Sequence, residues 1–139
     1  MNLFLDSSVA VAASLSATGA SREVFSHAAR QGWRLFVSPW VQREVRDNLA
    51  DKPPEAARAW LSLRAKATVE DDELAFNWPI VFAASKDKPV LFTALACADV
   101  LLTLDRRDFR DLLGQTIYGL RVLTPGEFLR IEREGGRLR

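Results

Sequence analysis

Apolar residues gather in four short runs along the chain, at residues 2–5, 34–37, 100–104 and 120–123. Runs of this length that are largely apolar on both faces are typical of strands covered on each side. The pattern therefore predicts a central sheet that contains these four strands.

Segments with helical periodicity lie between the predicted strands. Serine and threonine mark several helix starts because their oxygens cap free N–H groups, and proline suits the first helical position. The predicted helices are residues 10–15 after Ser7-Ser8, a helix from Ser21 that stops at Gly32, a helix after Ser38-Pro39, residues 55–66, residues 89–96 capped by Asp87, and a helix opened by Thr124 and Glu127.

Strands that alternate with helices indicate an α/β protein with a parallel sheet. We expect a single domain over residues 1–139, in which the basic tail from about residue 130 frays. Residues 78–82 are apolar but include Pro79, so we expect an irregular or edge segment there rather than a central strand.

Four acidic residues are placed by this pattern near one edge of the sheet. Asp6 and Asp105 follow strands, Asp87 stands at a helix start, and Glu44 lies in the helix after the second strand. Ligands of α/β proteins bind beyond the carboxyl ends of parallel strands. Carboxylates gathered there repel one another unless a cation compensates, and Mg²⁺ or Mn²⁺ suits oxygen ligands.

Taken singly, two of these acids have a simpler explanation. Asp87 is also explained as a helix cap and Glu44 as a surface residue. Asp6 is not, because a charge that ends a buried strand needs a partner and no residue beside it in sequence is basic.

Composition narrows the possible chemistry. The formal charge is only +1, so a phosphate partner must be bound locally rather than by a broad positive field. One Cys and one His exclude a disulfide framework and a zinc cluster of Cys and His ligands. The chain shows neither a membrane span nor a signal-like start, and we expect a cytoplasmic protein without membrane contact.

Five segments resemble those of PIN-domain ribonucleases, which include the VapC-type toxins of toxin–antitoxin modules. They are LDSSV at 5–9, SPWVQREV at 38–45, KDKPVL at 86–91, LLTLDRRDF at 101–109 and GLRVLTPGEFL at 119–129. The resemblance covers nearly the whole chain, and four acids in this order with Thr103 before the last make it fairly specific. It implies a three-layer α/β/α PIN-like domain with a mostly parallel sheet.

The function that the resemblance implies is a Mg²⁺- or Mn²⁺-dependent endoribonuclease that hydrolyses RNA. Its metal-binding and catalytic acids would be Asp6, Glu44, Asp87 and Asp105, with Thr103 as a supporting hydroxyl. It also implies a small antitoxin as partner, and we expect a homodimer. A stand-alone PIN nuclease of RNA processing, or a degenerate PIN scaffold that only binds RNA or protein, is the alternative.

Further charged residues lie near the last acid. Asp108 either supports the site or caps the following turn, whereas Asp99 precedes the strand and is expected roughly 20 Å away, at ~3.3 Å per residue. Three arginines are candidates for contacts to flanking phosphates: Arg106, Arg107 and Arg110.

The sequence fits two other classes of protein less well, the phosphohydrolases and the receiver domains. A phosphohydrolase with an aspartyl nucleophile needs a second Asp two residues after the first, where this chain has Ser8. A receiver domain needs an earlier acid pair and a late lysine, and neither is evident. For the antitoxin, we expect a groove beside Glu44 with Trp40, Val41 and Val45 as its apolar wall, although Trp40 taken alone is also explained as a core residue.

Overall fold

The computed structural model describes residues 1–80, 82 and 84–138, without the side chain of Ser85. Its strands form a six-stranded sheet in the order β3-β2-β1-β4-β6-β5, and only the pair β5 and β6 is antiparallel. The strands are β1 (Asn2–Leu5), β2 (Arg34–Val37), β3 (Ala67–Val69), β4 (Val100–Leu102), β5 (Thr116–Ile117) and β6 (Leu120–Leu123).

Within the described residues, six helices connect and flank these strands. They are α1 (Ser7–Leu15), α2 (Ala20–Gln31), α3 (Pro39–Leu49), α4 (Pro54–Arg64), α5 (Lys88–Cys97) and α6 (Pro125–Glu134), and a short 3-10 helix over Ser85–Asp87 precedes α5. Among the described residues, no helix combines the length and apolar content needed to cross a lipid bilayer.

The chain order of the strands explains the three layers. From β1 to β2 to β3 the chain steps in one direction across the sheet, and from β3 to β4 it steps back to the other side of β1. Since parallel crossovers are right-handed, α5 lies on the opposite face from the helices that join β1, β2 and β3. The predicted α/β/α architecture with a mostly parallel sheet is confirmed.

The central strands β1 and β4 are buried because helices cover both faces of the sheet. Leu3, Phe4 and Leu5 of β1 are fully buried, and Val100 to Leu102 are equally buried in β4. The two strands pair in parallel, with Leu5 beside Leu102, so the chain leaves both at the same edge. Asp6 and Asp105 follow the two strands at that edge.

Two helix starts form as the sequence predicts. Ser38 Oγ accepts a hydrogen bond from the N–H of Val41, with Pro39 as the first residue of α3. Thr124 Oγ1 accepts from the N–H of Glu127 at the start of α6. Helix α2 stops at Gly32, whose φ of 71° lies in the left-handed region that glycine adopts without steric cost.

Three predicted caps are wrong. Helix α1 begins directly after Asp6, whose carboxylate accepts from the N–H of Ser7, so Ser7 and Ser8 lie inside the helix. Helix α2 begins at Ala20 after Gly19, one residue before Ser21. Asp87 occupies the cap position of α5 without a capping side-chain hydrogen bond, because its carboxyl group faces other acids instead.

The remaining differences concern the edges of the sheet and the end of the chain. The strand expected at 100–104 ends at Leu102, and the sequence pattern missed β3 and β5. Residues 78–80 and 82 are irregular as expected, whereas Val81 lies outside the described residues. A frayed tail was expected from residue 130, but residues 130–134 belong to α6. Arg130 pairs with Glu127 and Glu134 there, and Leu138 is buried. Arg139 lies outside the described residues.

Candidate metal centre

Asp6 is fixed at the end of β1 by its own backbone and by α1. Its N–H donates to the carbonyl of Leu102 at 3.0 Å, which continues the β1–β4 pairing by one residue. Its carboxylate Oδ1 accepts from the N–H of Ser7 at 2.8 Å. The residue lines a cleft but is only 3% exposed, so its carboxylate has little contact with bulk water.

Two hydroxyl groups connect Asp6 to the segment after β4. Thr103 Oγ1 donates to Asp6 Oδ2 at 2.7 Å and accepts from the N–H of Asp105 at 3.0 Å. Ser8 Oγ donates to the same oxygen at 2.9 Å and accepts from the N–H of Leu104 at 3.0 Å. Each hydroxyl therefore uses its donor and its acceptor to hold the two acidic segments together.

Asp105 lies in a turn three residues after the last residue of β4. Its Oδ1 accepts from the N–H groups of Arg107 at 3.1 Å and Asp108 at 2.9 Å. Aspartate often stabilises a turn in this way, because its carboxylate accepts hydrogen bonds from the backbone N–H groups two and three residues later. The turn returns Asp108 to the side of Asp105. Among the described residues the Asp108 carboxylate accepts from no backbone N–H, which the alternative role as a cap would require.

Glu44 and Asp87 approach the same cleft from α3 and from the start of α5. Asp87 is 5% exposed, and Glu44 is half-buried. Within the described residues, Glu44 Oε1 and Asp87 Oδ2 are buried without a hydrogen-bond partner. Buried carboxylate oxygens without donors are costly, and a cation is the natural way to compensate them.

The structure brings the four predicted acids to one cleft of about 470 Å³. Asp6, Glu44, Asp87 and Asp105 all line it. The tightest group differs from the prediction, because Asp87, Asp105 and Asp108 each place a carboxylate oxygen within 4.8 Å of the others. Two oxygens that bind one Mg²⁺ at about 2.1 Å lie at most about 4.2 Å apart, so small side-chain rotations would allow these three acids to share one ion.

Burial and mutual repulsion raise the pKa of three of these acids. Burial is the main reason that the pKa of Asp6 is raised, and hydrogen bonds from Thr103 and Ser8 partly oppose it. Burial also raises the pKa of Glu44, followed by the charge of Asp6. For Asp87, burial and the neighbouring Asp108 carboxylate raise the pKa to about 8. The cleft therefore disfavours negative charge that no cation compensates.

The cleft contains one basic side chain that the sequence reasoning missed. Lys86 Nζ lies 3.2 Å from Asp108 Oδ2, although that oxygen accepts no hydrogen bond of good geometry. The Lys86 side chain is 74% exposed, and the Asp108 carboxylate raises its pKa. Ser8 was the other missed contact. Its position two residues after Asp6 was visible in sequence, but its partners Thr103 and Leu104 are more than ninety residues away.

Other predicted residues lie outside the cleft. Arg106, Arg107 and Arg110 are exposed on the segment after Asp105, and none of them lines the cleft. Arg106 lines a separate pocket with Glu127, and Arg110 lies beside Asp111. Asp99 lies at the opposite end of β4, where its Oδ2 accepts from the N–H of Asn2 at 2.7 Å, as its predicted position requires.

The predicted apolar groove wall is wrong. Val41 and Val45 are 0% exposed because this face of α3 packs into the core, and Trp40 is partly buried against the same core. The apolar side of the acidic cleft comes instead from α1, through Val11 and Leu15.

The chain is an α/β/α protein with a mostly parallel sheet, and its acids lie beyond the carboxyl ends of the strands, where ligands bind in open α/β sheets. Neither a protein-family model nor a curated protein sequence matches the chain. Among solved structures, it is similar to a chain in the crystal structure of VapBC2 from Rickettsia felis bound to a DNA fragment from the promoter, with a TM-score of 0.61 and 14% identity. The similarity covers 88% of this chain and 97% of that chain, and it shows the PIN-like fold.

Proposed function

We propose that the protein is a divalent-metal-dependent endoribonuclease and the toxin of a toxin–antitoxin module. The observation that carries the proposal is the group of carboxylates at the carboxyl edge of β1 and β4, in which Asp87, Asp105 and Asp108 lie within 4.8 Å of one another. Buried oxygens without hydrogen-bond donors on Glu44 and Asp87 support a bound cation.

Asp6, Glu44, Asp87 and Asp105 would hold Mg²⁺ or Mn²⁺, and Asp108 would support them. All-oxygen donors of this kind suit hard divalent ions. When bound, such an ion provides an activated water and stabilises the leaving oxygen of a phosphodiester.

The protein's own groups orient the acids and the substrate. Thr103 and Ser8 hold Asp6 Oδ2 in place, and two backbone N–H groups fix Asp105 Oδ1. Lys86 is long, exposed and at the cleft, so its ammonium group can bind a phosphate oxygen of RNA. Arg106, Arg107 and Arg110 would bind phosphates further along the strand.

The proposed partners are an RNA substrate, a small antitoxin and a second copy of the chain. The fold similarity to a chain of the VapBC2 structure supports the antitoxin among these partners. An antitoxin segment that inserts an arginine among the acids would replace the charge of the metal ion with an organic cation.

Cleavage of a panel of structured RNAs by the purified protein tests the proposed activity. We expect cleavage with Mg²⁺ or Mn²⁺ and none in EDTA. Asp6→Asn and Asp105→Asn should each reduce the rate by at least about 100-fold, because even groups that only support metal ligands contribute about 10- to 100-fold. Asp99→Asn is the matched control and should cleave like the wild type. Wild-type rates in either site variant, or full activity in EDTA, would exclude the proposal.

A further inference from the structure

A second groove lies between α3 and α4, away from the acidic cleft. It has a volume of about 660 Å³, larger than the cleft. Within each helix, the residues that line the groove are mostly three or four positions apart. They therefore lie on one face of that helix, and each helix forms one wall of the groove. None of the acids of the candidate metal centre lines this groove.

The floor of this α3/α4 groove is apolar. Leu49 and Trp60 form part of it and are buried beneath the opening. Leu61 stands at its edge with 58% of its surface exposed. A single exposed leucine is ordinary, but here it continues an apolar surface that reaches the core. The groove therefore offers burial to an apolar side chain of another molecule.

The rim of the groove is positively charged. Arg43, Arg46 and Arg64 all line it, and no acidic residue does. Arg46 lies 3.8 Å from Asp47 on the outer surface, and Arg43 is placed over the ring of Trp40 at 5.3 Å. For a chain whose formal charge is only +1, three arginines around one groove are a local concentration of charge.

The length of the α3/α4 groove suits a bound helix of another molecule. The α3 residues that line the groove extend from Pro39 to Leu49, which at 1.5 Å per residue is about 15 Å, or nearly three helical turns. An RNA strand would use the arginines but would leave the exposed side chain of Leu61 without an apolar contact. A helix with one apolar stripe and acidic flanks would satisfy the floor and the rim together.

We propose that the α3/α4 groove is a docking site for an acidic amphipathic helix of a partner protein. The apolar stripe of that helix packs on Leu61 and on the accessible edge of the floor beside Leu49 and Trp60. Its carboxylates pair with Arg43, Arg46 and Arg64. Bidentate pairing of arginine with carboxylate then sets the orientation of the bound helix. Binding at this site does not depend on the proposed nuclease activity.

Fluorescence anisotropy with designed peptides tests this site. The first probe is a labelled helical peptide of about four turns, with leucines at positions i, i+4 and i+7 and glutamates on both flanks. The second probe has lysine in place of every glutamate. We expect the acidic peptide to bind saturably and at least about tenfold more tightly than the basic peptide.

Charge reversal locates the binding surface. Arg64→Glu should weaken binding of the acidic peptide by at least about tenfold and strengthen binding of the basic peptide. Arg43→Glu should act in the same way, but it also removes the contact with Trp40, so its thermal stability must be checked. Arg30→Glu on α2, another exposed position, is the matched control and should leave binding unchanged.

Two results would overturn the proposal. One is equal binding of the acidic and basic peptides, or binding of the acidic peptide that Arg64→Glu leaves intact. The other is that single-stranded RNA binds the wild type, is lost in Arg64→Glu, and displaces the peptide, which would assign the groove to nucleic acid. Using Asp6→Asn protein in parallel separates this test from the proposed catalysis, because peptide binding should be the same in that variant.

Discussion

Unpaired carboxylate oxygens are the most informative feature of the acidic cleft. Glu44 Oε1 and Asp87 Oδ2 are buried with no hydrogen-bond donor among the described residues. Asp6 is buried as well, but Ser7, Ser8 and Thr103 all donate to it. The contrast separates an acid whose carboxylate the protein itself satisfies from two acids that each keep a buried oxygen for the proposed cation.

The raised pKa of Asp87 predicts how stability depends on pH in the presence of EDTA. Its ordinary value is 3.8, and in the folded protein it is about 8. Between these values the folded state keeps a proton that the unfolded chain has lost, so this group makes stability fall as pH rises from about 4 to about 8. The raised pKa values of Asp6 and Glu44 act in the same direction.

Asp87→Asn should remove this penalty. The gain in stability should be small at pH 5, just above the ordinary pKa of 3.8, and should grow to at least about 1 kcal/mol at pH 8, which corresponds to a rise in Tm of roughly 3–5 °C. Thermal unfolding in EDTA, monitored by circular dichroism at pH 5 and at pH 8, measures both changes in stability. Asp111→Asn, at an exposed acid on the following segment, is the control and should change Tm at neither pH. An equal gain at both values, or a loss at pH 8, would contradict the pKa assignment.

At the level of strands and helices, local signals predict the central elements well. β1, β2 and β6 have the predicted bounds, because a largely apolar run covered on both faces is visible in sequence. The starts of α3 and α6 follow from Ser38-Pro39 and from Thr124 with Glu127. β3 and β5 were missed because they are short edge strands whose residues are mostly exposed, so no apolar run marks them.

Contacts between distant segments were the other limit of the sequence reasoning. The four acids could be assigned to one edge because strand ends share an edge, but the close group of Asp87, Asp105 and Asp108 depends on the turn that returns Asp108 to the side of Asp105. The pairing of Lys86 with Asp108 and of Ser8 with Leu104 likewise arises only from packing. The apolar face of α3 was assigned to a groove, whereas the core needs that face to cover the sheet.

The molecule as a whole presents two surfaces of opposite character. The cleft at the carboxyl edge of the sheet is acidic, and the α3/α4 groove has an arginine rim, although the formal charge of the chain is only +1. Under the proposals above, the first surface would bind a cation with RNA and the second a protein helix. Opposite charge at two separate surfaces allows both ligands to be recognised without a large net charge.

Expression in growing cells tests the proposed toxin role of the intact molecule. The protein alone should slow growth, and co-expression with the product of a neighbouring short reading frame should restore it and give an inactive complex. Replacement of an inserted arginine of that partner should weaken the inhibition, because the acids would lose their compensating charge. If the protein alone does not slow growth and no neighbouring product binds, a stand-alone PIN nuclease replaces the toxin proposal.

Metal binding to the acidic cleft is the central claim, and a Mn²⁺ titration at pH 8 followed by calorimetry tests it most directly. The wild type should bind saturably with a dissociation constant below about 1 mM, and binding should weaken as pH falls because protons compete for Asp87. Asp87→Asn and Asp105→Asn should each weaken binding by at least about tenfold, whereas Asp99→Asn should bind like the wild type. Absence of saturable binding, or an equal loss in Asp99→Asn, would contradict the assignment of the metal centre.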